Sequence, residues 1–109
     1  GTIRVLELAK TLKARVVYAG SSSFYGNPFK NPYALSKWMG EEQCIMYNKI
    51  YSVPVAIARF FNVYGPRQNG NLISIFENQK SKGLPLTVTG DGKQRRDFCH
   101  VNDIVDGLI

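Results

Sequence analysis

Two cysteines in 109 residues, Cys44 and Cys99, form no CxxC pair and give no metal-ligand spacing, which argues against a disulfide scaffold or a zinc module. Cys44 falls in a helical pattern and Cys99 in a strand-like run, so both are expected as reduced core thiols. No apolar run approaches the ~20 residues of a membrane span, and no signal peptide is visible. A cytoplasmic protein with no membrane partner is expected. Acidic residues are scarce, 8 against 14 basic ones, leaving a net charge of +6. That excess could mean nucleic acid, but no RNP, zinc-finger or helix-turn-helix signature accompanies it. The one local basic cluster, Lys93-Gln94-Arg95-Arg96, suits a phosphate-bearing small molecule, which is the expected partner in place of nucleic acid. With 44% hydrophobic and 20% charged residues, the composition is that of a globular protein, and the length holds one domain at most.

What is present is organised around residues 16–37, VVYAGSSSFYGNPFKNPYALSK. Val16-Val17-Tyr18-Ala19 reads as a buried parallel strand. Three hydroxyls follow, Ser21, Ser22 and Ser23, where an open α/β sheet opens its ligand crevice. Gly26, Pro28, Asn31 and Pro32 mark a loop, and a helical pattern begins at Tyr33-Ala34-Leu35-Ser36-Lys37. Tyr33 and Lys37, four apart, share one helix face. A hydroxyl, a phenol and an ammonium are thus expected around one crevice.

Serines closing a strand, the Phe24-Tyr25-Gly26 step and Tyr33-x-x-x-Lys37 together resemble the extended short-chain dehydrogenase/reductase superfamily. The branch resembled is the NAD-dependent nucleotide-sugar epimerase/dehydratase family. Two later stretches carry the same resemblance. Residues 59–68, RFFNVYGPRQ, match R-x-x-N-V-Y-G-P-R-Q, and residues 90–103, GDGKQRRDFCHVND, match G-D-G-x-Q-x-R-D-F-x-x-V-x-D.

The resemblance implies oxidation of a sugar hydroxyl by hydride transfer to NAD, with NADP not excluded. Tyr33 would be the base, Lys37 its electrostatic partner, and a serine the hydrogen-bonding hydroxyl. Counting back from Gly26 favours Ser21, with Ser22 and Ser23 as alternates. A free tyrosine has a pKa near ~10, and lowering it by ~3 units takes roughly 4 kcal/mol. One ammonium at ~4 Å in an effective dielectric of ~20 supplies about that much before desolvation. The positive nicotinamide ring would supply the remainder. By the same resemblance Tyr33 and Lys37 also contact the cofactor, and Phe60 and Phe61 lie near the nicotinamide. Asn62 and Arg96 hold the nucleotide diphosphate, with Asp97 orienting Arg96, while Thr87 and Thr89 contact the uridine. Asn62 is expected as a buried amide at a strand end, which must find partners; the alternative is an Asn stabilising the Gly65-Pro66 turn. His100, the one histidine, has no proton-transfer duty in the family and is expected to be structural.

The chain in order gives an amphipathic helix over residues 1–13, with Val5, Leu8, Ala9 and Leu12 at helical spacing. It resembles the family's N-x-x-G-T-x-x-L-L-E-A helix. The family's first βαβ unit, with its GxxGxxG pyrophosphate loop, has no counterpart here, so a partial sequence is expected. Only six residues, Asn27 to Pro32, separate the Tyr-Gly step from Tyr33, fewer than the family usually carries. The helix over residues 33–51 has a mostly apolar stripe of Leu35, Trp38, Met39, Glu42, Ile45 and Met46, and another of Tyr33, Lys37, Glu41 and Cys44. The apolar stripe serves a monomer core or a homodimer interface equally. Residues 53–58 read as a second buried strand, completing a βαβ unit. Asn71 caps a helix from Leu72 that stops at Gly83, residues 86–89 alternate like a half-buried strand, and Asp103 opens a helix over 104–109.

The expected fold is α/β, part of a Rossmann-type doubly wound parallel sheet running into the start of a smaller substrate-binding region. Residues 1–60 would be the second half of the NAD-binding domain and 61–109 part of the nucleotide-sugar binding region. The expected function is a NAD-dependent epimerase of the UDP-hexose 4-epimerase type. Its rivals are a nucleotide-sugar dehydratase or decarboxylase of the same family, and a non-catalytic sugar-nucleotide-binding member.

Overall fold

Residues 1–109 are all described by a computed structural model, whose order is α1 (Thr2–Leu12), β1 (Val16–Ser21), α2 (Pro32–Tyr51), β2 (Val55–Phe60), β3 (Val63–Tyr64), α3 (Leu72–Ser81), β4 (Cys99–His100) and α4 (Val101–Leu108). Two short 3₁₀ turns, Ser22–Tyr25 and Pro28–Lys30, join β1 to α2. The chain divides into two compact units, Gly1–Phe60 and Phe61–Ile109.

In the first unit, β1 and β2 pair in parallel from Val16 opposite Val55 to Ser21 opposite Phe60. Both are rich in β-branched residues, which suit a pleated surface. Between them, α2 starts with Pro32 in its first turn and Asn31 as cap, the Asn31 Oδ1 accepting from the Ala34 N–H at 2.8 Å. It ends at Ser52, whose φ of 56° lies in the left-handed region. One face of the strand pair, with Val16, Tyr18, Val55 and Ile57, packs on a core of Leu6, Ala9, Cys44, Tyr47 and Val53.

On α1 the buried face differs from the expected one, and on α2 the apolar stripe does not serve the core. On α1 the core face is Leu6 and Ala9, while Val5, Leu8 and Leu12 are each more than half exposed. This helix carries apolar residues on two sides, so periodicity alone could not choose between them. On α2 the buried side chains are Ala34, Glu41, Cys44 and Tyr47, together with Gly40. The bulkier stripe of Leu35, Trp38, Met39, Glu42, Ile45 and Met46 lies outside the core. Close approach decides this: a Cβ on Gly40 would collide with the Tyr18 hydroxyl. That hydroxyl donates across the gap to the Lys37 carbonyl at 3.4 Å. Small residues let the helix axis lie near the strand, and hydrophobicity does not register that.

The Tyr47 hydroxyl donates to Glu7 Oε1 at 2.5 Å and so ties α2 to α1. This bond, and then burial, pushes the Tyr47 pKa up to about 12. The unfolded chain releases that proton near pH ~10. Its contribution to stability is therefore whole below pH ~10 and is lost as the pH rises to about 12. Tyr47→Phe should flatten this alkaline loss, measured as the urea unfolding midpoint across a pH series. An unchanged slope in the variant would contradict the assignment.

In the second unit, β3 and β4 pair in parallel over two rungs, Val63 opposite Cys99 and Tyr64 opposite His100. A capping box of Asn71 and Ser74 starts α3. Gly83 follows its end at a φ of 65°, a left-handed conformation that glycine adopts without strain. The α4 helix begins earlier than expected, at Val101. His100 Nδ1 accepts from the Asn102 N–H at 3.2 Å as its cap, and Asp103 falls within the first turn. Residues 86–89 form no strand, and Leu86, Thr87, Val88 and Thr89 are exposed. They have no ladder to join, because the β3–β4 pair is only two residues long.

Both cysteines are free, Cys44 buried and Cys99 half-buried. Burial, and then Glu41, push the Cys44 thiol up, which keeps it protonated and inert. No helix is long and apolar enough to cross a membrane. No group of His, Cys, Asp and Glu could hold a metal ion.

Candidate functional site

The three serines stand at the carboxyl end of β1. Ser21 is the last strand residue and only 7% exposed. Its Oγ accepts from the Ser23 N–H at 3.2 Å and caps the 3₁₀ turn, leaving its own hydroxyl proton for another acceptor. Ser22 and Ser23 lie inside that turn, and the Ser23 Oγ is buried without a partner. Phe60 ends β2 directly opposite Ser21.

From the other side, α2 presents Tyr33 in its first turn, 58% exposed, and Lys37 one turn later. The Lys37 ammonium crosses to β1 and donates to the Ala19 carbonyl at 2.8 Å, two residues before Ser21. It stands 5.9 Å from the centroid of the Tyr33 ring and 5.7 Å from that of Tyr18. The short loop is itself structured. Asn27 Oδ1 accepts from the Phe29 N–H at 2.9 Å, and the Phe29 ring lies 6.2 Å from that of Trp38. The first unit therefore gathers Ser21, Ser22, Ser23, Tyr33, Lys37 and Phe60 at one end of its strand pair. A phenol, an ammonium and a hydroxyl so placed can accept, hold and return a proton.

Two side chains there were not singled out from the sequence. Glu41, fully buried one turn beyond Lys37, accepts from Arg59 Nε at 3.0 Å. The signals were Glu41's spacing of four from Lys37 and Arg59's place at the head of the R-x-x-N stretch.

In the second unit, the Asn62 amide donates to the Asp97 carbonyl at 2.8 Å, and the Cys99 N–H donates to the Asn62 carbonyl at 3.3 Å. Asn62 is thus fastened beside the Arg96 segment and not to the Gly65-Pro66 turn. Gly90 and Gly92, at φ 69° and 72°, make the turn that leads into Lys93 and Arg96. Arg96 is exposed, and its Nη1 donates to the Arg95 carbonyl at 2.7 Å. Asp97 does not orient it: the two ion pairs of the chain are Lys10–Glu7 and Arg59–Glu41. The guanidinium is left without an acidic partner, and its planar donors match a phosphate.

The Thr87 side chain is engaged within the unit. Gln79 Nε2 donates to its hydroxyl oxygen at 2.6 Å and Gln79 Oε1 accepts from its N–H at 3.2 Å. The Thr89 carbonyl accepts from Gln94 Nε2 at 2.9 Å. Phe61 is exposed. A cavity of about 290 Å³ opens between Tyr64, Arg67, Asn71, Glu77 and His100, and neither Asn62 nor Arg96 lines it. His100 is structural, as cap of α4 and as an edge contact to Tyr64 at 5.2 Å.

A family model described as NAD dependent epimerase/dehydratase family matches residues 1–109. The chain is similar to UDP-glucuronic acid decarboxylase 3 of Arabidopsis thaliana, 37% identical over 129 aligned positions that take in 100% of this chain and 38% of the relative. Among solved structures, it is similar to UDP-glucuronic acid 4-epimerase from Bacillus cereus in complex with UDP-glucuronic acid and NAD. There the identity is 34% and the TM-score 0.82, covering 98% of this chain and 38% of the other. It is also similar to dTDP-glucose 4,6-dehydratase from Bacillus anthracis in complex with NAD, at 30% identity and a TM-score of 0.86, covering 98% and 39%. The chain spans less than two fifths of each of these proteins.

Proposed function

This chain belongs to the NAD dependent epimerase/dehydratase family, and on that premise we propose that its protein is a NAD-dependent nucleotide-sugar 4-epimerase acting on a UDP-hexose. The observation that carries the reading is the Lys37 ammonium bonded to the Ala19 carbonyl, which fastens the Tyr33 helix to the serine end of β1. The groups there fit the nicotinamide and ribose half of NAD: an exposed phenol, an ammonium beside it, and the ring of Phe60 at the strand end. Tyr33, Lys37 and Phe60 would hold that half. When bound, NAD supplies a reversible hydride acceptor.

The chain's own residues handle the proton. Tyr33 takes the proton of the sugar hydroxyl as the carbon beneath loses hydride, and returns it when hydride is given back. Lys37, held to the Ala19 carbonyl, places its positive charge beside the Tyr33 ring. Ser21 hydrogen-bonds the reacting oxygen, with Ser22 and Ser23 behind it in the turn. Residues 1–60 form part of the NAD-binding domain in this reading, and residues 61–109 grip the nucleotide sugar through Asn62, Arg96 and the segment of Thr87 and Thr89. The reading includes a homodimer formed through α2, where Met39 and Met46 are exposed.

A second reading, redox-neutral decarboxylation of a UDP-uronic acid in which hydride is taken up and then returned, is supported by the 37% identity to a plant UDP-glucuronic acid decarboxylase. Both share the proton chemistry above. The full-length protein incubated with NAD and either UDP-glucose or UDP-glucuronic acid, with products read by NMR, separates them. The 4-epimer of UDP-glucose is the expected product. Carbon dioxide with a UDP-pentose would establish the second reading, and no conversion of either sugar would overturn both.

A further inference from the structure

We infer that the Glu41–Arg59 ion pair is a positioning device, holding the serine turn against α2 so that Ser21 stays in place relative to Tyr33 and Lys37; this rests on the catalytic reading above. Glu41 follows Tyr33 by eight residues and Lys37 by four, so all three lie along one face of α2. Arg59 lies on β2 opposite Gly20, the residue before Ser21. The pair sits flush against that glycine, where a Cβ would come within 2.6 Å of Glu41 Oε1 and 3.2 Å of Arg59 Cγ. Beyond the serines, the guanidinium carbon of Arg59 stacks 3.3 Å from the centroid of the Phe24 ring and 5.3 Å from that of Tyr25. Its Nη1 donates to the Tyr25 hydroxyl at 3.3 Å. One arginine therefore spans the serines, with its stem beside Gly20 and its guanidinium on Phe24 and Tyr25, and it is anchored by a carboxylate on the helix of the phenol.

Stability alone is a poor reason for such a pair, because the desolvation of the buried Glu41 offsets its attraction to the half-buried Arg59. Satisfaction is also incomplete: the chain's two buried side-chain oxygens without a partner are Glu41 Oε1 and Ser23 Oγ, in α2 and in the serine turn. What a stacked, planar guanidinium supplies is a fixed geometry.

The test uses the full-length protein with Glu41→Leu and Arg59→Met combined, a replacement that removes both charges and keeps the volume filled. Turnover with the UDP-sugar is read together with amide hydrogen exchange. The expected result is a KM within about threefold of the parent, kcat lower by about ten- to a hundredfold, and exchange faster by about tenfold over residues 21–26 but not over 16–19 and 55–58. Arg59→Lys should reproduce most of the loss, since an ammonium cannot stack and fork as the guanidinium does. Parent-like exchange over residues 21–26 would overturn the inference. So would exchange that quickens equally along both strands, which is the mark of a merely structural pair. If the double variant does not fold, Arg59→Lys and Glu41→Gln carry the same comparison. Tyr33→Phe, run alongside, should leave exchange over residues 21–26 unchanged. Full turnover in Tyr33→Phe would sink the catalytic reading, while the exchange pattern would still decide the positioning role.

Discussion

Tyr33→Phe should lower turnover of a UDP-sugar by about 10²- to 10⁴-fold, the range ordinarily lost with a positioned proton-transfer group. Binding of the sugar nucleotide should change by less than about threefold, because the ring and its packing are kept. The expectation rests on Tyr33's place in the first turn of α2, more than half exposed beside the strand end, with the Lys37 ammonium fixed between the Tyr33 and Tyr18 rings. Fluorescence titration with the UDP-sugar and steady-state kinetics in the full-length protein measure the two quantities. A variant with the parent's turnover would remove Tyr33 as the base. A parallel collapse of binding and turnover would make it a binding residue.

Arg96→Ala should weaken UDP-sugar binding by about ten- to a hundredfold, as expected for the loss of a charge-assisted contact worth roughly 1.5–3 kcal/mol. Arg96 is exposed, makes no ion pair, and hydrogen-bonds only its neighbour's carbonyl, so its remaining donors face outward. Arg96→Lys should recover part of the loss, since an ammonium cannot make the paired fork contact. Were the basic cluster a nucleic-acid surface instead, Lys93, Arg95 and Arg96 would be near-equivalent and binding would fall steeply with salt. Calorimetry with a UDP-hexose and with a short oligonucleotide, on the parent and the single variants, distinguishes the two. Oligonucleotide binding without UDP-hexose binding would reject the diphosphate role.

Where a choice is local, the sequence carried it. Asn71 ahead of Leu72, Pro32 before the first turn of α2, and the apolar runs of β1 and β2 each act within a few residues, and the structure has that cap, that helix start and those strands. Residues 86–89 misled because alternation describes a strand's faces but not whether a partner exists to bond its edges. The α1 face, and the α2 stripe read as core, misled for another reason. Bulk apolar residues mark surface that could be buried, whereas Gly40 and Ala34 mark where backbones approach, and only the second consideration fixed the packing. At the candidate site, Tyr33 and Lys37 were legible as a pair because four residues span one helical turn. Glu41 with Arg59 was not, since eighteen residues and a change from helix to strand separate them.

The contact between Gly40 and Tyr18 has a consequence for geometry rather than stability. With nothing but hydrogen at position 40, the Tyr18 ring works as a spacer of fixed thickness between β1 and α2, and its hydroxyl docks on the carbonyl of Lys37 itself. The height of the ammonium above the strand end is gauged by a phenol outside the candidate site. A Cβ at position 40 would collide with the Tyr18 ring, so ring or helix must shift, and misplacement of about 1 Å is enough to cost a reaction roughly a hundredfold. For the proposed chemistry the tolerance is thus set one turn beyond Lys37, by the residue that has no side chain.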